Sequence, residues 1–220
     1  MNLTGTQTAA HFWNSAAEEF DSIYTGAHKN AWQRLLDRVF RKDIYERFDW
    51  VMERCGDLSG KTVCDVGCGP GHFVSEFAQR GAALTVGLDI APNMLELAKT
   101  RINRQDLAKR CDFVLGEIEN WQAEQTFDLT IAIGFWDYIA DPWEKLRCIR
   151  RITTGRFLSA WPRQWTWRMP IRKARLQYLK GCPVYFYRRQ EVYRMLEEAG
   201  FSVTRCDVVG KLFCLEAHPK

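Results

Sequence analysis

The chain has 220 residues, 46% of them hydrophobic, which suits one domain with a substantial core and small appendages. The first ten residues lack the basic start and apolar run of a secretion signal, no stretch approaches the roughly 20 apolar residues of a membrane span, and eight scattered cysteines form no CxxC pair. A reduced, cytoplasmic setting without a metal centre is therefore expected, and the net charge of +4 falls far short of the basic balance of a nucleic-acid domain.

Charge and aromatic residues are unevenly placed. Residues 145–190 carry thirteen of the 31 Lys and Arg and none of the 27 acids, leaving 18 basic against 27 acidic side chains elsewhere. Nine Trp and thirteen Phe exceed what an ordinary core requires, so some rings are expected to line a pocket.

In chain order, Trp32, Leu35, Leu36, Val39, Phe40, Ile44, Phe48, Val51 and Met52 recur at three- and four-residue steps and predict a long amphipathic helix, or two in succession. Gly56 and Gly60 close it, and the β-branched run 61–66 reads as the first core strand. Helical spacing at 70–80, a strand at 83–89, a helix at 92–102 with Pro92 near its start, strands at 111–115 and 127–133, a helix at 142–152 and a strand at 156–160 follow. This alternation predicts an α/β fold with a doubly wound, mostly parallel seven-stranded sheet covered by helices on both faces. A last helix at 189–199 stops at Gly200, and strands 201–209 and 212–217 form an antiparallel hairpin about Gly210-Lys211. The interval 161–187, aromatic, basic and proline-containing, breaks the pattern and reads as an insertion over one sheet edge.

The first strand runs into Asp65-Val66-Gly67-Cys68-Gly69-Pro70-Gly71. Ligands of an open parallel sheet bind at the carboxyl ends of its strands, and alternate glycines let the backbone turn sharply and approach a ligand closely. The helix that follows offers its N-terminus to an anionic group such as a carboxylate. Asp89, at the end of the second strand, suits both ribose hydroxyls of an adenosine, and it also suits capping of the next helix. A dinucleotide fingerprint requires glycine where this chain has His72. The acid at Asp65 repels a pyrophosphate and attracts a ligand carrying ammonium and sulfonium groups.

These segments resemble the two signatures of the class I S-adenosylmethionine methyltransferases, Val63 to Gly71 matching the first and Val86-Gly87-Leu88-Asp89-Ile90 with Pro92-Asn93-Met94 the second. The resemblance implies that S-adenosylmethionine is the cofactor. Asp65 and the Gly67-Cys68-Gly69 turn would hold its methionine end, Asp89 its ribose, and Ile90 and Met94 its adenine. Gly116-Glu117-Ile118 stands where the family has Gly-Asp near the adenine amine; glutamate is a departure, and Glu117 reads equally as a solvated loop acid. Gly134-Phe135 and Asp137-Tyr138, after the fourth strand, would face cofactor and substrate, and Tyr24 of an N-terminal segment would reach the cofactor carboxylate. The pattern divides the domain into an N-terminal helical cap (1–58), a cofactor-binding core (59–160), a lid (161–188) and a C-terminal helix and hairpin (189–220), with the resemblance strongest over about 61–160.

The expected activity is methyl transfer to oxygen, nitrogen or carbon of a small molecule, driven mainly by positioning. Candidate catalytic residues are Asp137, Tyr138 and His11, with His28 as a further base. Asp137 reads alternatively as a helix cap and the histidines as surface residues. Cys68 has no base beside it and reads as packing, and His72 as a cavity wall. The segment 161–188, including Arg172, Lys173 and Arg175, is read as a lid over an anionic or aromatic substrate, against an RNA surface or a membrane-surface patch. A nicotinamide oxidoreductase and a non-catalytic cofactor-binding scaffold are the other readings.

Overall fold

The computed structural model describes residues 8, 11–17, 21, 42–164 and 182–220. Tyr24, His28, the apolar positions from Trp32 to Phe40, and Arg172, Lys173 and Arg175 lie outside the described residues. Residues 11–17 are helical. The chain then runs α1 (Lys42–Arg54), β1 (Thr62–Val66), α2 (His72–Gln79), β2 (Leu84–Asp89), α3 (Pro92–Arg104), β3 (Cys111–Leu115), β4 (Phe127–Ile133), α4 (Trp143–Ile152), β5 (Thr153–Pro162), α5 (Arg189–Glu198), β6 (Phe201–Val209) and β7 (Leu212–Pro219).

The described residues form a seven-stranded sheet of order β3-β2-β1-β4-β5-β7-β6. Strands β1 to β5 are parallel to one another, and β7 runs antiparallel to both β5 and β6. The central strands are mostly apolar because both faces are covered. Alternation along the pleat divides them between two cores: Val63, Leu129, Ile131 and Leu158 pack beneath Trp50 and Val51 of α1 and Phe73 and Phe77 of α2. Cys64, Val66, Ala132 and Phe157 pack on the other face against Leu146 and Ile149 of α4 and Val192 and Leu196 of α5. The edge strands are lean and alternate, with Leu115 on β3 and Val208 on β6 exposed.

Two differences from the sequence expectation have local causes. β5 starts at Thr153, three residues before its apolar run, because Thr153 Oγ1 donates to the Ile149 carbonyl at 2.7 Å and so joins the strand to the end of α4. Thr153 then pairs with Phe127 across a register irregularity. Trp161, grouped with the insertion by sequence, is a fully buried residue of β5 stacked on Trp136 at 4.0 Å. Tyr187 meets Trp161 edge-on at 5.0 Å, and its hydroxyl donates to the Trp136 and Ile139 carbonyls. These rings belong to the core and hold up the loop after β4.

Candidate functional site

The turn after β1 is fixed by its backbone bonds. The amides of Gly67 and Cys68 both donate to the Leu88 carbonyl, at 2.8 and 3.0 Å, and that of Gly69 donates to Asp89 Oδ2 at 2.8 Å. Gly67 has φ +77°, and a Cβ there would stand 2.8 Å from the Phe135 ring, so only glycine lets the β1 and β4 turns meet. Cys68 is buried with its sulfur against Gly87, and burial, then the nearby Asp89 and Asp65, push its thiol well above the usual range. A protonated, enclosed thiol packs; it does not attack.

Asp65 is 2% exposed, and its Oδ2 has no hydrogen-bond partner among the described residues. Burial first, then the charge of Asp89, raise its carboxyl well above the usual range. Such a group favours a cation arriving beside it. Asp89 spends both oxygens on backbone amides, Oδ1 accepting from Ala91 at 2.9 Å, so it serves the loop before α3 and the glycine turn together.

A cavity of about 260 Å³ opens at the carboxyl ends of β1, β2 and β4. Its walls include Gly67, Cys68, Gly69, Asp89, Ile90, Met94, Glu117, Ile118, Gly134, Phe135, Asp137 and Tyr138, together with His72. Asp65 lies behind the turn and is not on the wall. His11 is exposed and also off the wall, although Trp13, two residues along, lines it. Asp137 is 3% exposed and its carbonyl accepts the Tyr185 amide at 2.8 Å. It does not cap α4; the amide of Trp143 is taken by Asp141 at 3.1 Å.

Several wall residues lacked a sequence assignment: Ile44 and Arg47 of α1, Phe73 of α2, Lys145 of α4 and Lys211 of the hairpin turn. A signal existed for two of them. Arg47 interrupts the apolar stripe three residues after Ile44 and four before Val51, and Lys145 sits on the α4 face that carries Cys148 and Ile149. The Arg47 guanidinium lies 3.0 Å from where a Gly134 Cβ would stand, beside the glycine turn.

The N-terminal segment straps across the mouth. Trp13 meets Tyr138 edge-on at 5.1 Å, and Asn93 donates two hydrogen bonds of 3.0 Å to Asn14, from its amide to Oδ1 and from Nδ2 to the carbonyl. Asp21 pairs with Arg101 and, at 3.2 Å, with His72. Burial lowers the His72 imidazole below its ordinary range, against the opposing hydrogen bond to Asp21.

Comparison with known proteins gives a consistent picture. Residues 57–200 match the family described as a methyltransferase domain. Ubiquinone biosynthesis O-methyltransferase of Bordetella parapertussis is 32% identical over 115 residues, 51% of this chain and 46% of that protein. The enzyme of the same name from Xanthomonas oryzae pv. oryzae is 33% identical over 112 residues, 50% of this chain and 45% of that protein. The match thus spans less than half the length of these relatives. Among solved structures, magnesium protoporphyrin IX methyltransferase from Synechocystis PCC 6803 with bound SAM superposes with TM-score 0.76 at 19% identity, covering 100% of this chain and 99% of that one. The [4+2]-cyclase SpnF superposes with TM-score 0.75 at 16% identity, covering 99% and 97%. At such identities the structural likeness shows the fold, a Rossmann-like doubly wound sheet.

Proposed function

The chain belongs to the methyltransferase-domain family, and from that premise we propose that it transfers a methyl group from S-adenosylmethionine to a small-molecule acceptor. The observation that carries the reading is Asp65: a buried carboxyl with one oxygen unpartnered among the described residues, at the head of a turn whose next residues wall the cavity. A pyrophosphate is repelled there, and an ammonium beside a sulfonium is drawn in.

The wall residues divide by chemistry. The glycine turn, the start of α2 and the Arg47 guanidinium suit the methionine carboxylate, Asp89 the ribose hydroxyls, and Ile90, Met94 and Ile118 the faces of adenine. Tyr24 remains a proposed contact to the carboxylate. When bound, S-adenosylmethionine supplies a methyl group already activated by its sulfonium. The chain's own task is to align an acceptor and exclude water. Trp13, Phe73 and Tyr138 offer ring surface to an aromatic acceptor, and Asp137 and Tyr138, both on the cavity wall, would orient it or hold its proton. His11 would serve only if the strap rearranged. The lid is proposed for the part of 161–188 outside the described residues, its Arg172, Lys173 and Arg175 favouring an anionic acceptor. The cytoplasm, where the free cysteines stay reduced, is the proposed setting.

The names of the relatives, ubiquinone biosynthesis O-methyltransferases and a magnesium protoporphyrin IX methyltransferase, support a small-molecule acceptor. The test is incubation with methyl-labelled S-adenosylmethionine and fractionated host extract. Label in the small-molecule fraction supports the proposal; label in transcripts makes the protein an RNA methyltransferase. Tight S-adenosylhomocysteine binding without transfer to any fraction makes it a scaffold, and NADH binding in its place overturns the cofactor assignment.

A further inference from the structure

The loop that carries Asp137 and Tyr138 does little to hold itself. It is a single 3₁₀ turn, Trp136–Tyr138, and its own bonds are long: the Tyr138 amide donates to the Phe135 carbonyl and the Ile139 amide to the Trp136 carbonyl, each at 3.3 Å. Shorter bonds come from residues 185–187. The Tyr185 amide donates to the Asp137 carbonyl at 2.8 Å, and the Tyr187 hydroxyl donates to the Ile139 carbonyl at 2.5 Å, with the Trp136 carbonyl 3.2 Å away. The hydroxyl thus spans the two carbonyls that bracket Asp137 and Tyr138.

Tyr187 is itself fixed. Its amide donates to the Pro162 carbonyl at 2.9 Å and its carbonyl accepts from the Gln164 amide at 3.0 Å, which ties it to the end of β5. Its ring is buried edge-on against Trp161. Burial first, then the charge of Asp137, push the phenol above its ordinary range, so the hydroxyl stays a donor. A ring that only filled this space would need no hydroxyl, since phenylalanine packs the same volume with no polar group to satisfy.

Resting on the reading that the cavity aligns an acceptor with the methyl group of S-adenosylmethionine, we infer that Tyr187 is a positioning residue of the transfer step, its hydroxyl setting where Asp137 and Tyr138 stand against the acceptor. Tyr187 is not on the cavity wall, so it acts through the turn. The cofactor side of the same loop, Gly134-Phe135, is held separately by the close approach of Phe135 to Gly67. Loss of the hydroxyl therefore falls on transfer and not on cofactor binding.

The experiment compares Tyr187→Phe with Thr153→Val, which also removes a buried hydroxyl bonded to a backbone carbonyl but lies at the start of β5. The readouts are urea melts, calorimetric S-adenosylhomocysteine affinity, hydrogen exchange of the 136–139 amides, and transfer from methyl-labelled S-adenosylmethionine to the small-molecule fraction of host extract at saturating and limiting dilution. Both variants are expected to melt lower by similar amounts and to bind S-adenosylhomocysteine within about twofold of the wild type. Only Tyr187→Phe should speed exchange of the turn, by about tenfold, and lower transfer at saturating acceptor, by about tenfold or more. Transfer that stays at the wild-type rate in Tyr187→Phe, or that falls equally in both variants, overturns the proposal. If Tyr187→Phe does not fold, the wild type decides: turn amides protected like those of β4 support the hold, and freely exchanging ones overturn it. Wild type that labels no small-molecule fraction refutes the transfer reading beneath the proposal, an outcome distinct from wild-type labelling that Tyr187→Phe leaves intact.

Discussion

Asp89 accepts the amide of Gly69 at 2.8 Å, so the acid that ends β2 also pins the turn that ends β1. The ribose contact and the shape of the glycine turn therefore depend on one side chain. Asp89→Ala loses this bond and the one from Ala91, and the apo protein is expected to lose about 1–2 kcal/mol of stability, the lost bonds outweighing relief from burying a carboxylate. Urea melts with and without S-adenosylhomocysteine check this. An acid that touched only the ribose would leave the apo melt at the wild-type value.

Asp65 makes binding proton-linked. Burial and the Asp89 charge hold its carboxyl above its ordinary range, and an ammonium beside it favours the ionised form. Wherever the apo carboxyl is still protonated, cofactor binding is thus expected to expel a proton, and affinity to rise with pH until that carboxyl is already ionised. The stability sign follows from the same shift. The unfolded chain ionises first, so apo stability falls as pH rises from about 3.8 toward the raised folded value. Calorimetry in buffers of different ionisation enthalpy measures the proton, and Asp65→Asn should abolish both the release and the pH slope while melting no lower than the wild type.

Gly134 separates backbone strain from the effect on Arg47. It has φ +77°, and an added Cβ meets Arg47 Nη1 at 3.0 Å; Gly60 has φ +72° with open space around it. Both alanine variants are expected to cost about 1–2 kcal/mol in stability for the left-handed backbone. Only Gly134→Ala should also weaken S-adenosylhomocysteine, by about tenfold, through displacement of the guanidinium. Equal affinities in the two variants would remove Arg47 from the cofactor site.

The strap should control release. Burial pushes the Asp21 carboxyl up, but the His72 hydrogen bond and the Arg101 charge outweigh it and leave it below the usual range. Its stabilising contribution is present above the unfolded value near 3.8 and disappears as pH falls through the lower folded value, so the clasp holds throughout neutral pH. Asp21→Asn is expected to speed S-adenosylhomocysteine dissociation about fivefold, the worth of a partly buried pair. Stopped-flow displacement reads this directly, and an unchanged off-rate would make the clasp purely structural.

The sequence by itself determined what depends on neighbours along the chain. Period-two and period-3.6 patterns located the strands and helices from 61 onward, the alternating glycines after Asp65 located the ligand turn, and Asp89 lay one strand further on. Only the tertiary structure decided what depends on distant segments meeting. It put Trp161 and Tyr187 in the core, because a ring stacked on Trp136, and a second packed edge-on against the first, cannot also face a ligand. It brought Arg47 of α1 to Gly134 of the β4 turn, and Lys145 of α4 to Glu117 after β3, across separations that no local periodicity encodes. A cation on an apolar helix face is visible in the sequence. Which cavity it faces depends on how the helix packs against the sheet.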